Sequence, residues 1–487
     1  MTKKVITILM VPYPAQGHLT PLLHLASSFL RLHHEDYSFS PVLLLPHFLH
    51  RQISATATNN SNVDPRVSLV PIPPPDEEED SEAPPPGDFS SIDKAMEQSN
   101  AAAGQMEKVV RRYISTNVAR SNNINGNDDA AGVVVCMVVD LLVSSAIGVA
   151  RRCDVPVAGF WPAALLTYRL IAAIPRLIAA GLIHPHSGIP KHPGGAPIFD
   201  LLPHQPSLST DDLPWLIGSP AARKARFKFW TKTLNRSTTL QCLLVNSSPD
   251  EFHHHQHHQQ PQVLQIGPLT AQQTPIANSS SSNRITFWDQ DSSCLQWLDT
   301  QKPNSVLYIS FGSWVGPIGE PKVRSLATSL DAIGIPFLWV LGPAWRQGLP
   351  RGFEHDLSVS QRGRLVTWAP QMEVLKHGAV GCYLTHCGWN STVEAIQCRK
   401  RMLCYPVAGD QFVNCRYIVE KWRVGVELSG FGRQELEEGL EKVMGDCEMN
   451  GKLESLYELS LGKEAKCSAI ANLNAFVDLL IEKTQDL

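Results

Sequence analysis

Short apolar runs rich in β-branched residues recur through the first half of the chain, at residues 5–11, 42–45, 67–70, 133–139 and 155–160. Between several of them lie longer stretches that read as helices, 20–32 and 91–114 among them. Strands that alternate with helices predict a parallel sheet covered on both faces. A second set of runs follows at 306–311, 337–341, 364–368, 380–385 and 402–405. Pattern alone therefore predicts an α/β fold of two doubly wound, Rossmann-like domains. Ligands in such folds sit beyond the carboxyl ends of the strands.

A length of 487 residues agrees with two cores rather than one. Runs at 243–246 and 263–266 close an N-terminal domain, 1–270. Residues 271–284 are rich in Gln, Ser and Asn and read as exposed chain, so 271–287 is taken as a linker and the second domain starts at 288. With 43% apolar residues and a net charge of −4, the chain lacks the basic face that nucleic acid demands. Lys3 and Lys4 before the run 5–11 superficially suggest a secretory signal. That run stops at Pro12 and Pro14 without a small-x-small cleavage site, so a buried first strand is the better reading. No segment approaches the ~20 continuous apolar residues of a membrane span, which leads to the expectation of a cytoplasmic protein. The 11 cysteines are an odd, scattered set. Cys382 and Cys387 have no second pair at zinc spacing, so reduced thiols and no metal site are expected. Residues 71–88 read as a loop too polar to bury itself, and the five histidines within 253–258 as a solvated loop with incidental metal affinity.

Two separated residues are candidates for acid–base chemistry. Tyr13, Pro14, Ala15, Gln16, Gly17 and His18 follow the first strand. Thr20 and Pro21 then look like a helix N-cap and first turn, which places His18 on a strand-to-helix loop facing the crevice. Asp140 closes the run 133–139, where a charge is costly unless paired. It reads either as the N-cap of the helical stretch that follows or as a partner that orients an imidazole.

The stretch 368–411 supplies a binding site. Its apolar strand 380–385 runs into His386, Cys387, Gly388, Trp389, Asn390 and Ser391 and then a helix, which is how a backbone aims N–H groups at a phosphate. Trp368 upstream is placed to stack on a base, Glu394 to hold a ribose diol, and Asp410 with Gln411 to hold sugar hydroxyls. Ser391 and Glu394 also fit the S/T-x-x-E capping box, which would make the carboxylate a helix cap instead. Asp410 has a plainer alternative as a turn residue after Gly409.

With Trp368, Ala369-Pro370-Gln371, the run His386 to Ser391, Glu394, Pro406 and Asp410-Gln411 in register, this stretch closely resembles the signature box of the plant secondary-metabolite UDP-glycosyltransferases, glycosyltransferase family 1. The resemblance extends over nearly the whole chain. It implies the GT-B fold, an active site between the halves, and a final helix around 468–487 that returns to the first domain, leaving 288–467 as the donor domain. It implies stacking of Trp368 on uracil, with Ala369 meeting the base through its backbone. Gln371 and Glu394 would hold ribose, and His386, Asn390, Ser391 and Ser313 the pyrophosphate. Trp389 would meet the sugar by its backbone, with Asp410 and Gln411 on its hydroxyls. His18 and Asp140 would form the catalytic dyad of an inverting hexosyltransferase.

The implied partners are a UDP-sugar donor, glucose by the sign of Gln411, and a small lipophilic acceptor with a hydroxyl or carboxyl group. The implied enzyme is a monomer that needs no cofactor or metal. The chain departs from the family pattern twice. Arg399-Lys400-Arg401 stands where Gly-Val-Pro is usual, and Pro162 where many relatives carry Ser or Thr. Two rival readings have less support in the sequence. A nucleotide-dependent oxidoreductase lacks any G-x-G-x-x-G after a strand. A non-catalytic UDP-sugar-binding relative would have no use for the His18–Asp140 pair.

Overall fold

A computed structural model describes residues 3–57, 64–73, 103–122, 134–198, 201, 205–248, 261–270, 290–312 and 318–485. Ser313, the linker 271–287, the histidine run 253–258 and most of the loop 71–88 lie outside the described residues.

The first lobe is built on a seven-stranded sheet in the order β3-β2-β1-β4-β5-β8-β9, parallel throughout. Its strands are β1 (Lys4–Val11), β2 (Tyr37–Pro46), β3 (Ser68–Ile72), β4 (Val134–Asp140), β5 (Val157–Trp161), β8 (Cys242–Val245) and β9 (Gln262–Gln265). A small antiparallel pair, β6 (Pro197–Ile198) and β7 (Leu208–Ser209), stands apart from it. The second lobe carries a six-stranded parallel sheet, β12-β11-β10-β13-β14-β15. These strands are β10 (Val306–Ser310), β11 (Phe337–Val340), β12 (Gly363–Val366), β13 (Val380–Thr385), β14 (Arg401–Cys404) and β15 (Gly425–Glu427). The apolar runs thus became strands because both faces are covered. Ile6, Ile8 and Met10 pack into one core of the first lobe and Leu9 and Val11 into the other. The brief β15 had no counterpart among the expected strands.

Strand order reverses once in each sheet, between β1 and β4 and between β10 and β13. At such a switch point neighbouring helices depart to opposite faces and leave a crevice at the strand ends. Val11 is in register with Val139, so the segments after β1 and β4 emerge side by side. Ser310 is in register with Thr385, which does the same for the loops after β10 and β13. Residues 122 apart in sequence meet at the first switch point for this reason.

One expected boundary is corrected. The helix after β1 spans Gln16–Arg31 with Ala15 at its N-cap, so His18 lies in its first turn and Pro21 lies inside it. Thr20 and Pro21 have the chemistry of a helix start. Packing of Leu19, Leu22, Leu25, Ala26 and Phe29 against the sheet extends the helix backward past them. The last helix, Lys463–Gln485, starts five residues before 468 and lies against the first lobe. Its Leu473, Phe476, Val477 and Leu480 join the core of Ile6, Leu25 and Phe29, and Asn472 Nδ2 donates to Gln265 O at 2.7 Å. Among the described residues, no helix is long and apolar enough to cross a membrane.

Candidate active site

The strand ends of the two sheets face each other across a cleft of about 370 Å³, a volume suited to a small-molecule ligand. On the first-lobe wall, His18 Nδ1 stands 2.6 Å from Asp140 Oδ2. A carboxylate only accepts, so Nδ1–H donates and the lone pair resides on Nε2. Asp140 is wholly buried, and its other oxygen accepts from Leu142 N at 2.9 Å. Both readings of this residue therefore hold: one oxygen caps the short 3₁₀ turn Leu141–Val143 and the other orients the imidazole. Tyr13 meets the His18 ring edge-on at 5.2 Å and limits its tilt.

On the opposite wall, helix Trp389–Gln397 begins directly after β13, with Gly388 at its N-cap and no side chain capping it. Its first N–H groups are thus available to an anion. The capping-box alternative fails on register, because Ser391 is the third helical residue rather than the cap. Glu394 instead accepts from Gln371 Nε2 at 2.7 Å, and the same nitrogen reaches Ser391 Oγ at 3.2 Å. Gln371 Oε1 accepts from the hydroxyls of Tyr308 (3.1 Å) and Tyr383 (3.3 Å). These stacked rings come from neighbouring strands of the switch point. Gln371 is therefore committed on both sides of its amide, and as placed it aims Glu394 and Ser391.

His386 is nearly sealed between two glycines. A Cβ on Gly312 or Gly388 would stand 2.5 or 2.4 Å from its Nε2. Burial pushes its pKa down to about 4, so near neutral pH the ring is an uncharged hydrogen-bonding group. Its Nδ1 is buried without a hydrogen-bond partner. Trp368 lies two residues beyond β12, half-buried and lining the cleft rather than sunk in a core, with Ala369 beside it. Gln411 Oε1 accepts from Val407 N and Ala408 N at 2.9 and 2.8 Å, which fixes the loop and leaves the NH₂ of its amide for a ligand. Asp410 accepts from Asn414 Nδ2 at 2.9 Å, and burial raises its pKa against the opposing effect of that bond.

Two expected pyrophosphate and sugar residues have side chains turned to the other lobe. Trp389 Nε1 donates to Asn246 O at 2.7 Å, and Asn390 Nδ2 donates to Gly17 O at 2.8 Å. The structure thus brings His18, Asp140, Trp368, Ala369, Gln371, His386, Trp389, Asn390, Ser391, Glu394, Asp410 and Gln411 around one cleft.

Of the cleft residues, Asn246, Arg226, Phe229 and Trp230 escaped sequence reasoning. Buried Asn246 receives Trp389, takes Leu269 N on Oδ1 at 2.6 Å and donates to Pro162 O at 3.2 Å. No motif marks it. The first-lobe half of the cleft is mostly apolar, walled by Trp161, Ile171, Phe229 and Trp230, with Thr167 and Arg226 as buried polar exceptions. The Thr167 hydroxyl has no hydrogen-bond partner.

Of the two departures from the family pattern, the basic one keeps its turn. Arg399 takes a left-handed φ of 52° where glycine is usual. Arg399 N bonds to Ile396 O (3.0 Å) and Lys400 N to Ala395 O (2.9 Å), which is a Schellman ending. A pair with Glu454 at 2.6 Å and stacking over Tyr457 at 3.6 Å hold Arg399 there. Pro162 lines the cleft with no side-chain donor to offer.

Among the described residues, one group has ligand atoms close enough for a metal. Cys387, Cys404 and Cys415 have sulfurs within 4.8 Å of one another, all buried behind the cradle. They belong to the apolar core of the second lobe, and burial holds the Cys387 and Cys404 thiols protonated.

Residues 289–459 match the family model described as UDP-glucoronosyl and UDP-glucosyl transferase. Over 482 residues the chain is 46% identical to UDP-glycosyltransferase 82A1 of Arabidopsis thaliana, covering 96% of each chain. It is 30% identical to UDP-glycosyltransferase 83A1 of the same plant, over 97% of this chain and 96% of that one. Among solved structures, a UDP-glucosyltransferase from Polygonum tinctorium aligns with TM-score 0.73 at 23% identity, covering 99% of each chain. Phytolacca americana UGT2, complexed with UDP-2fluoro-glucose and pterostilbene, aligns with TM-score 0.70 at 24% identity over 96% of this chain and 95% of that one. The fold is therefore GT-B.

Proposed function

The chain belongs to the plant UDP-glycosyltransferases, enzymes that transfer sugar from a UDP donor, and from that premise we propose that it glucosylates a small lipophilic acceptor with inversion, using His18 as general base. The observation that carries this reading is the His18–Asp140 pair at one switch point, facing the anion cradle at the other.

In this scheme the acceptor lies in the apolar half of the cleft with its hydroxyl or carboxyl toward His18 Nε2. The ring takes the acceptor proton as the oxygen attacks the anomeric carbon, and Asp140 balances the charge that the imidazole gains. UDP departs from the opposite face, and attack from behind inverts an α-linked donor to a β-linked product. The first N–H groups of helix Trp389–Gln397, with Ser391 and neutral His386, meet the charge growing on the diphosphate. Glu394, aimed by Gln371, holds the ribose diol, and Trp368 stacks on the uracil. Asp410 and the Gln411 amide take sugar hydroxyls, and glucose is the sugar we assign. The Polygonum and Phytolacca structures, named for a glucosyltransferase and for a fluoro-glucose complex, are in keeping with that assignment. No step calls for a metal or cofactor. Free cysteines throughout agree with a reducing, cytoplasmic setting.

The test is UDP release from UDP-glucose with a panel of phenolic and terpenoid acceptors, comparing wild type with His18→Ala and Asp140→Asn. Loss of the base is expected to lower kcat by ~10²–10⁴-fold while UDP still binds. Full transfer by His18→Ala would remove the base assignment. Binding of UDP without transfer to any acceptor would return the chain to the non-catalytic reading.

A further inference from the structure

Cys387, Cys404 and Cys415 come from three segments around the anion cradle. Cys387 sits between His386 and the N-cap Gly388, Cys404 ends β14, and Cys415 lies on helix Gln411–Arg416. All three are buried, and their sulfurs lie within 4.8 Å of one another. Among the described residues, no fourth His, Cys, Asp or Glu atom joins them. A three-sulfur site in an apolar core selects its occupant by coordination number and by charge. Zinc takes four ligands in its structural sites. Three thiolates also leave one negative charge around a divalent ion and two around monovalent copper, which an apolar core cannot balance. Arg416 follows Cys415, but it already faces Asp212 (3.5 Å), Glu420 (3.3 Å) and Glu427 (3.8 Å). A trivalent ion bound by three thiolates is neutral. Where a lone pair fills its remaining position, it needs no fourth ligand.

We propose that Cys387, Cys404 and Cys415 form a binding site for trivalent arsenic, taken up as arsenous acid, and that filling it disables the donor cradle. In the condensation each As–O bond breaks as an As–S bond forms. Each hydroxide leaves with a displaced thiol proton, so three waters are released, arsenic stays trivalent and no oxidant is needed. Protonated thiols are therefore no obstacle. Cys415 attacks first, because hydrogen bonds from Cys387 and Cys404 lower its pKa. Its helix is only six residues long and passes into the π-turn Tyr417–Lys421, so local opening admits a small neutral solute. Ion–sulfur bonds of ~2.3 Å hold three sulfurs no more than about 4 Å apart, which draws the trio inward by up to about 1 Å. That movement reaches the ligand side. Cys387 O accepts from Asn414 Nδ2 at 2.9 Å, and the same nitrogen donates to Asp410 Oδ2 at 2.9 Å. His386, Gly388 and Asp410 shift with the sulfurs. The effect on donor binding, unlike the arsenic site itself, rests on the cradle being the seat of UDP.

The experiment uses the full chain, reduced with a phosphine and freed of added thiols, as wild type, Cys387→Ala, Cys404→Ala and Cys415→Ala. Sodium arsenite is the probe. Bound arsenic per chain is counted after gel filtration, its sulfur neighbours are read by X-ray absorption, and UDP affinity is measured by calorimetry before and after loading. Wild type is expected to retain one arsenic more than each variant, with three sulfur neighbours. Its UDP affinity should fall by at least about 10-fold on loading, while no variant loses affinity on loading. Three separate positions keep the test decisive if one variant does not fold. Equal arsenic in wild type and variants would overturn the site, as would displacement of the arsenic by an equal concentration of zinc. Arsenic held by three sulfurs with UDP affinity unchanged would overturn the link to the cradle. Failure of unloaded wild type to bind UDP would instead strike the donor reading, and the arsenic count would still decide the site.

Discussion

His386 offers a quantitative test of how the cradle is built. The ring is 6% exposed and wedged between Gly312 and Gly388, and burial lowers its pKa from 6.5 to about 4. Above pH 6.5 the imidazole is neutral in the folded and unfolded chain alike and adds nothing to the pH dependence. Below that, the unfolded chain binds a proton that the folded chain refuses, so stability falls as pH falls, until the folded ring also titrates near pH 4. The whole effect is about 3 kcal/mol, and about 2 kcal/mol is already lost by about pH 5. The perturbation is His386→Gln, which keeps a neutral polar side chain but cannot take up the proton. Urea unfolding of both proteins at about pH 7.5 and about pH 5 gives a difference of differences in which every other titrating group cancels. Wild type is expected to lose about 2 kcal/mol more than the variant between those conditions. Saturating UDP should narrow that gap, because an anion beside the ring favours its protonated form. Equal losses in the two proteins would show that the ring is solvated, and the neutral-donor role assigned to it would fall.

Gln371→Glu sets a second carboxylate where Nε2 now stands 2.7 Å from Glu394; donor affinity measured by calorimetry should fall by about 10–100-fold near neutral pH, with partial recovery in acid. Thr167→Val replaces a buried hydroxyl that has no partner. It should leave the urea midpoint unchanged or raise stability by about 1 kcal/mol, and alter KM for the acceptor but not for UDP-glucose. Arg399→Ala keeps a non-glycine residue at a φ of 52° while losing Glu454 and Tyr457, for a cost of about 1–2 kcal/mol in urea unfolding. Arg399→Gly recovers the left-handed strain of about 1 kcal/mol, so it should lie closer to wild type than the alanine variant does.

What the sequence made legible follows from which interactions are local. The run 133–139 is apolar at every position and 380–385 is largely so, and only a strand covered on both faces tolerates that, so both sheets could be read directly. Asp140 stood out because a charge ending such a run demands a partner. The sequence left two partners open, and the structure shows that each carboxylate oxygen took one. The start of the first helix was misread because Thr20-Pro21 carries good capping chemistry, yet burial of Leu19 and Leu22 outweighs it. Ser391 and Glu394 carry a capping signature too, and there the start at Trp389 moves the register and turns Glu394 toward Gln371.

The illegible residues are those whose meaning exists only between the lobes. Asn246 ends an apolar run like many other polar residues, and nothing nearby says that its carbonyl will receive Trp389 from 143 positions away. Gly17 and Pro21 read as ordinary loop and cap chemistry until the helix is seen to run through both. Only then does the proline become the reason that a carbonyl is open, and Asn390 the reason that it is not wasted. A switch point explains why His18 meets Asp140, and a second one explains why His386 lies beside Gly312. Neither explains the separation between the two pairs, because each sheet is blind to the other. That separation must be set by groups that cross the cleft. The crossing bonds nearest the chemistry come from adjacent residues, Trp389 and Asn390, at the start of the donor helix. In the proposed scheme, a glycosyl donor held by that helix would therefore be brought to His18 by the same short segment that binds it.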